Sequence, residues 1–247
     1  KLLPYRAELV GDDGAALSAS VTYAFSDSPE AEWNLIYALR SAAGVDLPAQ
    51  WRHMAMMPNS VIWNYIPPGL EFGYGSVHHV TNRFTKGRLY LHMSHIMNLY
   101  GRTDPQWAGL ASTVREMMGG SFAPFARGGM IPYALLMTEL DEAPEPVPLE
   151  QFNLPMARHF ETLGQVIMRS GTGPDDTYAL FATGDGLKAV HYDATHFIIY
   201  KQGFLALDTG TRRPADNTPH ALNYYRQTIA HNCILINMPD EPSMIGT

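Results

Sequence analysis

The feature that most constrains this chain is a change of hydrophobic pattern across Asp141 to Pro148, a stretch holding three prolines and three acidic residues. Before it, apolar residues recur at helical spacing. After it, they fall in short runs separated by Gly and polar turns. A Pro-rich acidic stretch between two such regimes reads as a domain junction. With 247 residues the chain is long enough for one large domain or two modest ones, each with its own core. The expected division is a mainly α-helical domain over 1–144 and an antiparallel β domain over 145–247.

In the first part, residues 1–25 are ambiguous, with a turn at Gly11 to Gly14. A helix start follows: Ser28 suits the cap, Pro29 the first helical position, and Glu30 and Glu32 the positive helix end. Trp33, Ile36, Tyr37 and Arg40 continue it to Gly44. Residues 48–87, rich in Pro, Gly and aromatics, read as a long structured loop. Further helices are expected over 88–99, over 105–118 behind Asp104-Pro105, and over 130–140. In the second part the strand candidates are 165–169, 177–182, 195–200, 204–207 and 233–236, with Gly203 turning the chain between two of them. Short strands joined by turns suggest an antiparallel sandwich or barrel.

Composition narrows the function classes. Hydrophobic residues make up 46% and charged residues 17%, which fits a globular chain. A net charge of −7 disfavours nonspecific nucleic-acid binding, yet leaves room for a local basic cleft facing an anionic sugar. No apolar run approaches a membrane span. The single cysteine, Cys233, rules out an intramolecular disulfide. The chain opens at Lys1 without Met, as a mature form or a piece of a longer protein would.

Chemistry concentrates in His191-Tyr192-Asp193-Ala194-Thr195-His196-Phe197, Leu207-Asp208-Thr209-Gly210 and Ala230-His231-Asn232-Cys233. A hairpin about Gly203 returns Asp208 alongside the strand after His191, and His231 precedes the next strand. Two imidazoles and a carboxylate from neighbouring strands suit Zn²⁺, which accepts N and O donors in near-tetrahedral placement. His196 competes with His191 for this role, because a tight hairpin at Gln202-Gly203 sets His196 nearly opposite Asp208. His and Asp beside strands are more often surface or hydrogen-bonded residues than ligands.

Gly164-Gln165-Val166-Ile167-Met168-Arg169-Ser170, His191-x-Asp193, Gly203, Asp208-x-Gly210 and Ala230-His231-Asn232 together resemble the C-terminal region of heparinase II/III-type polysaccharide lyases, over about a hundred residues. The resemblance implies the C-terminal part of an (α/α) toroid followed by an antiparallel β-sandwich. It also implies zinc held by His191, Asp208 and His231. The sandwich would continue past Thr247, and most of the toroid would precede the matched part. One departure matters: the family's His-x-His-x-Asp is here Ala189-Val190-His191-Tyr192-Asp193, so Ala189 stands where a His often serves catalysis.

The activity implied is β-elimination at a uronic acid of heparin, heparan sulfate or a related glycan. The C5 proton is weakly acidic, so the adjacent carboxylate must be neutralised, a base must take the proton, and an acid must protonate O4. Tyr suits both proton roles where cations lower its pKa. Tyr224 and Tyr225, beside Arg226, are the candidates, with Tyr225 preferred as catalytic; the plain alternative is a pair of strand aromatics, one packed and one exposed. The expected zinc is structural, tying three chain segments together. The implied partners are an anionic polysaccharide, a second chain or region supplying the rest of the toroid, and a second copy in a homodimer; nucleic acid and membrane are not among them. The implied location is periplasmic or secreted. A noncatalytic carbohydrate-binding or scaffold fragment is the competing function.

Three other groups have plainer readings. His78-His79 and His92-x-x-His95 are more often satisfied helix or core histidines than ligands. Trp51, Trp63, Tyr65, Phe72 and Tyr74 either line a sugar groove or pin the long loop to the core. Arg169, in a strand, suits pairing with a carboxylate and is assigned no catalytic role.

Overall fold

A computed structural model of the chain describes residues 2–10, 13–14, 30–75, 86–119, 144–183, 191–209 and 218–234. The expected Ser28 cap, the helix at 130–140, His78-His79, Ala189 and Gly210 lie outside them. The described residues contain both helices and a five-stranded antiparallel sheet, a mixed α and β chain. No helix among them is long and apolar enough to cross a membrane.

The chain forms two compact units. The first holds helices α1 (Leu2–Val10), α2 (Glu30–Ala43), α3 (Met57–Asn64), α4 (Lys86–Tyr100) and α5 (Pro105–Met118). α4 packs along α5. Leu89, Met93, Ile96 and Met97 form one buried stripe of α4, and Leu110, Ala111, Val114 and Met118 one of α5. Each large apolar side chain so buried contributes roughly 1.5–3 kcal/mol. Pro105 sits in the first turn of α5, where its missing N–H costs nothing. Asp104 makes no side-chain cap there; its carboxylate instead accepts from Arg52 Nε at 2.6 Å. Gly119 ends the helix in the left-handed conformation, φ +54°.

The reading of 48–87 as loop is corrected. It holds α3 and a short hairpin of β1 (Tyr65–Ile66) and β2 (Leu70–Glu71), joined through Pro67-Pro68-Gly69. All eight residues of α3 are buried, so it lacks the polar face that makes a surface helix visible in a sequence.

The second unit is built on β3 (Ala157–Phe160), β4 (Gln165–Arg169), β5 (Tyr178–Ala182), β6 (Phe197–Tyr200) and β7 (Phe204–Ala206), antiparallel and adjacent in chain order. Ile167 pairs with Leu180 and Leu180 with Ile198, a buried row across the sheet. The opposite face carries the half-exposed Val166, Phe181 and Ile199, the period-2 pattern of a one-sided sheet. Gln202, at φ +54°, turns β6 into β7, and the ladder is irregular at Ile199/Tyr200. β3 was absent from the sequence expectations: four residues centred on Arg158-His159 give no apolar alternation. The strand expected at 233–236 is not seen at Cys233 or Ile234, and its remainder lies outside the described residues.

The two units exchange at 155/156, and residues 65–75 belong with the second. The 144–148 stretch stays with the helices because it is bonded to α5. Val147 N donates to Gly109 O at 3.2 Å, and Thr113 Oγ1 donates to Val147 O at 2.6 Å. The 65–75 segment is tied to β4 by a side-chain hydrogen bond between Tyr74 and Gln165.

Candidate metal centre

Three local structures converge in the second unit. His196 lies just before β6, after a turn in which Thr195 takes φ +68° and His196 N donates to Asp193 O at 3.0 Å. Its own carbonyl accepts from Ala182 N at 2.8 Å, extending the pairing of β6 with β5. Asp208 lies beyond the end of β7. His231 follows a short helical turn, Thr228–Ala230, whose last carbonyl accepts from Thr209 Oγ1.

One potential ligand atom each from His196, Asp208 and His231 lies within 4.8 Å of the others, and all three residues are buried. His231 Nδ1 is 2.8 Å from Asp208 Oδ1, and His196 Nε2 is 3.8 Å from Asp208 Oδ2. The carboxylate therefore stands between the two imidazoles. Both ring nitrogens of His196, and Nε2 of His231, are buried without a hydrogen-bond partner among the described residues. Burial lowers the pKa of His196; the Asp208 carboxylate opposes that shift and His231 adds to it. A neutral imidazole is the form that binds metal. Buried ring nitrogens without a hydrogen-bond partner among the described residues, beside one carboxylate, fit a divalent metal that accepts N and O ligands.

His191 is not a member of this group; His196 holds the third place. His191 is buried beside it, its ring centroid 5.2 Å from that of His231 and 6.2 Å from that of Tyr225. Backbone bonding explains the placement. Tyr192 N donates to Arg226 O at 2.8 Å, and Thr228 Oγ1 donates to Tyr192 O at 2.7 Å. These bonds hold the chain after His191 against the segment that carries Tyr225, while His196 leads directly into β6 beside Asp208.

Tyr224 and Tyr225 are not strand residues; they close a wide helical turn, Ala221–Tyr225. Tyr225 is 1% exposed, packed with Ala221 and Ala230, whereas Tyr224 is exposed and stacked on His220 at 5.2 Å. Two residues near the centre, inside the runs that the sequence marked, had been given no role there. Burial raises the pKa of Asp193, with His231 and Asp208 among the charges acting on it. Burial, then Asp193 and Asp208, push the Cys233 thiol up to about 11, against a side-chain hydrogen bond from Thr195. Their signal was adjacency to the ligand runs.

The other candidates resolve into packing. His92 and His95 are fully buried; Trp33 Nε1 donates to His92 Nδ1 and the Tyr37 hydroxyl bonds His95 Nδ1, each at 2.9 Å. Trp63, Phe72 and Tyr74 are buried, which favours their pinning role over a sugar groove, while Trp51 and Tyr65 are half-buried. A scan against protein-family models finds no match to this chain, and neither does a search of curated proteins.

Proposed function

We propose that the chain is part of a polysaccharide lyase that cleaves uronate-containing glycans by β-elimination and carries a structural zinc. The helices of the first unit would then be the end of an (α/α) toroid, and the sheet of the second one layer of a β-sandwich. The observation that carries the reading is the buried His196–Asp208–His231 group with His191 and Tyr225 packed beside it. Zinc is the metal of choice because the donors are imidazole and carboxylate, without a cluster of oxygens that would favour calcium or magnesium. When bound, the metal supplies a cross-link between the start of β6, the end of β7 and the segment at His231. His191 is a further nitrogen donor at hand for its coordination.

The chain's own residues would do the elimination. Tyr225 is the group proposed to take the C5 proton and return one to O4. A uronate-bearing polysaccharide is the proposed partner, with a second copy or a further helical region completing the cleft. A periplasmic or secreted setting is proposed with it.

A specific observation favours the second reading, a noncatalytic carbohydrate-binding or scaffold part. Tyr225 is 1% exposed, and Ala189 replaces the His that often serves catalysis in the family this chain resembles. Ultraviolet absorbance of unsaturated uronate separates the two. A lyase generates it from heparan sulfate or alginate, and Tyr225→Phe removes most of it. Binding of the glycan with no absorbance change leaves the scaffold reading standing and the lyase reading refuted.

A further inference from the structure

We infer that Asn232 is a positioning residue for the metal centre, its side-chain amide clamping the two strands that carry His196 and Asp208. The inference rests on the metal reading of the His196–Asp208–His231 group and deepens it. Asn232 Nδ2 donates to Phe197 O at 2.9 Å and to Leu207 O at 3.2 Å. Phe197 directly follows His196, Leu207 directly precedes Asp208, and Asn232 directly follows His231. One half-buried amide therefore joins the backbone beside each of the three ligands.

The strands leave this task to a side chain. The pairing of β6 with β7 reaches only Ile199↔Ala206 and is irregular at Ile199/Tyr200. Phe197 and Leu207 lie beyond that last pair, each offering a carbonyl oxygen. Two carbonyls cannot bond each other; a group with two N–H donors can serve both. A side-chain amide has these two donors on one nitrogen, and two carbonyl acceptors fix which end of the amide faces them. A carboxylate in the same place has none and repels both oxygens. The geometry thus sets the separation of His196 and Asp208 through Asn232, as outer-shell partners set the orientation of metal ligands elsewhere.

The test is metal affinity of the full chain, measured with Zn²⁺ against a competing chelator and with Co²⁺ by its visible absorption. Asn232→Asp, which keeps the shape and removes the donors, is expected to raise the Kd about 10–100-fold and to shift the Co²⁺ spectrum. Asn232→Ser, which keeps one donor, is expected to fall between it and the wild type, and serves if the Asp variant does not fold. A residue that only stabilised the fold would lower the melting temperature of the metal-free protein and leave both Kd and spectrum unchanged; that result overturns the inference. Asp208→Ala separates the two claims. If the wild type binds Zn²⁺ and Asp208→Ala does not, an unchanged Kd in both Asn232 variants sinks the positioning role alone. If the wild type binds no Zn²⁺, or Asp208→Ala binds as well as it does, the metal reading falls and the positioning role with it.

Discussion

An imidazole buried with neither nitrogen hydrogen-bonded is costly to keep, and His196 is such a group. Its retention beside Asp208 makes it the most informative single residue to vary. His196→Ala and Asp208→Ala are each expected to abolish stoichiometric metal binding, whereas His191→Ala keeps most of it. Metal analysis of the purified variants checks this. Metal lost only on removing His191 would restore the ligand set that the sequence suggested. Asp208→Ala also strands the His231 Nδ1 donor that its carboxylate satisfies at 2.8 Å, so a stability loss of about 1–3 kcal/mol is expected even without metal. A melting temperature equal to the wild type's in the metal-free state would contradict that bracing role. The choice between His191 and His196 was beyond the sequence because both lie near the same strand. The bonds of Tyr192 to Arg226 and Thr228, which fix the chain after His191, come from residues more than thirty positions away.

At the scale of elements, what could be read was what had one wet face or ran long enough to establish a period. α5 shows helical spacing because one side of it, at Gln106 and Glu116, is solvated, and β5 begins within one residue of its expected start for the analogous reason in a sheet; α4 is buried nearly all round and was legible because its 15 residues repeat the spacing over several turns. α3 was missed because it is buried all round, and β3 because four residues cannot establish a period. The helical turn at Tyr225 was not among the expected helices; a pair of strand aromatics was the plain alternative for its tyrosines, because such residues favour strands, whereas here tertiary packing on Ala221 and Ala230 prevails. The prolines of the 144–148 stretch signal a break in secondary structure, while its packing continues onto α5. Gly109 makes that packing possible. A Cβ there would collide with the Val147 side chain and sit 2.9 Å from Glu145 O. Gly109→Ala is therefore expected to destabilise by about 1–3 kcal/mol through overpacking. That outweighs the ~1 kcal/mol by which Ala is the better helix former. Denaturant unfolding followed by helix signal measures it. A variant more stable than the wild type would mean the 144–148 stretch yields without cost.

At the scale of the whole molecule, His95 in the first unit and Glu71 in the second are buried groups that titrate in opposite senses. Burial, reinforced by His92, lowers the pKa of His95 in the first unit to about 3. Its unfolded form takes a proton below about pH 6.5, so this unit loses stability by about 1.4 kcal/mol per unit as pH falls from there toward 3. Burial raises the pKa of Glu71 in the second unit to about 8. The folded state then holds a proton that the unfolded chain releases above about pH 4.5, and the stabilisation is lost as pH rises toward 8. Hydrogen exchange resolved by segment should show the helices loosening first in acid and the β1–β2 region first in mild alkali. Glu71→Gln should flatten the alkaline limb alone; equal loosening of both units at each extreme would refute the assignment. That β1–β2 hairpin also has a history imposed by its place in the chain. During synthesis it emerges before α4 and α5, yet Gln165, the partner of its neighbour Tyr74, emerges only after both. Phe72 and Tyr74, buried in the finished protein, meanwhile remain uncovered on the growing chain. Residues 65–75 are thus the stretch a chaperone would grip, and a chain halted before β4 would leave the ribosome with that stretch still exposed.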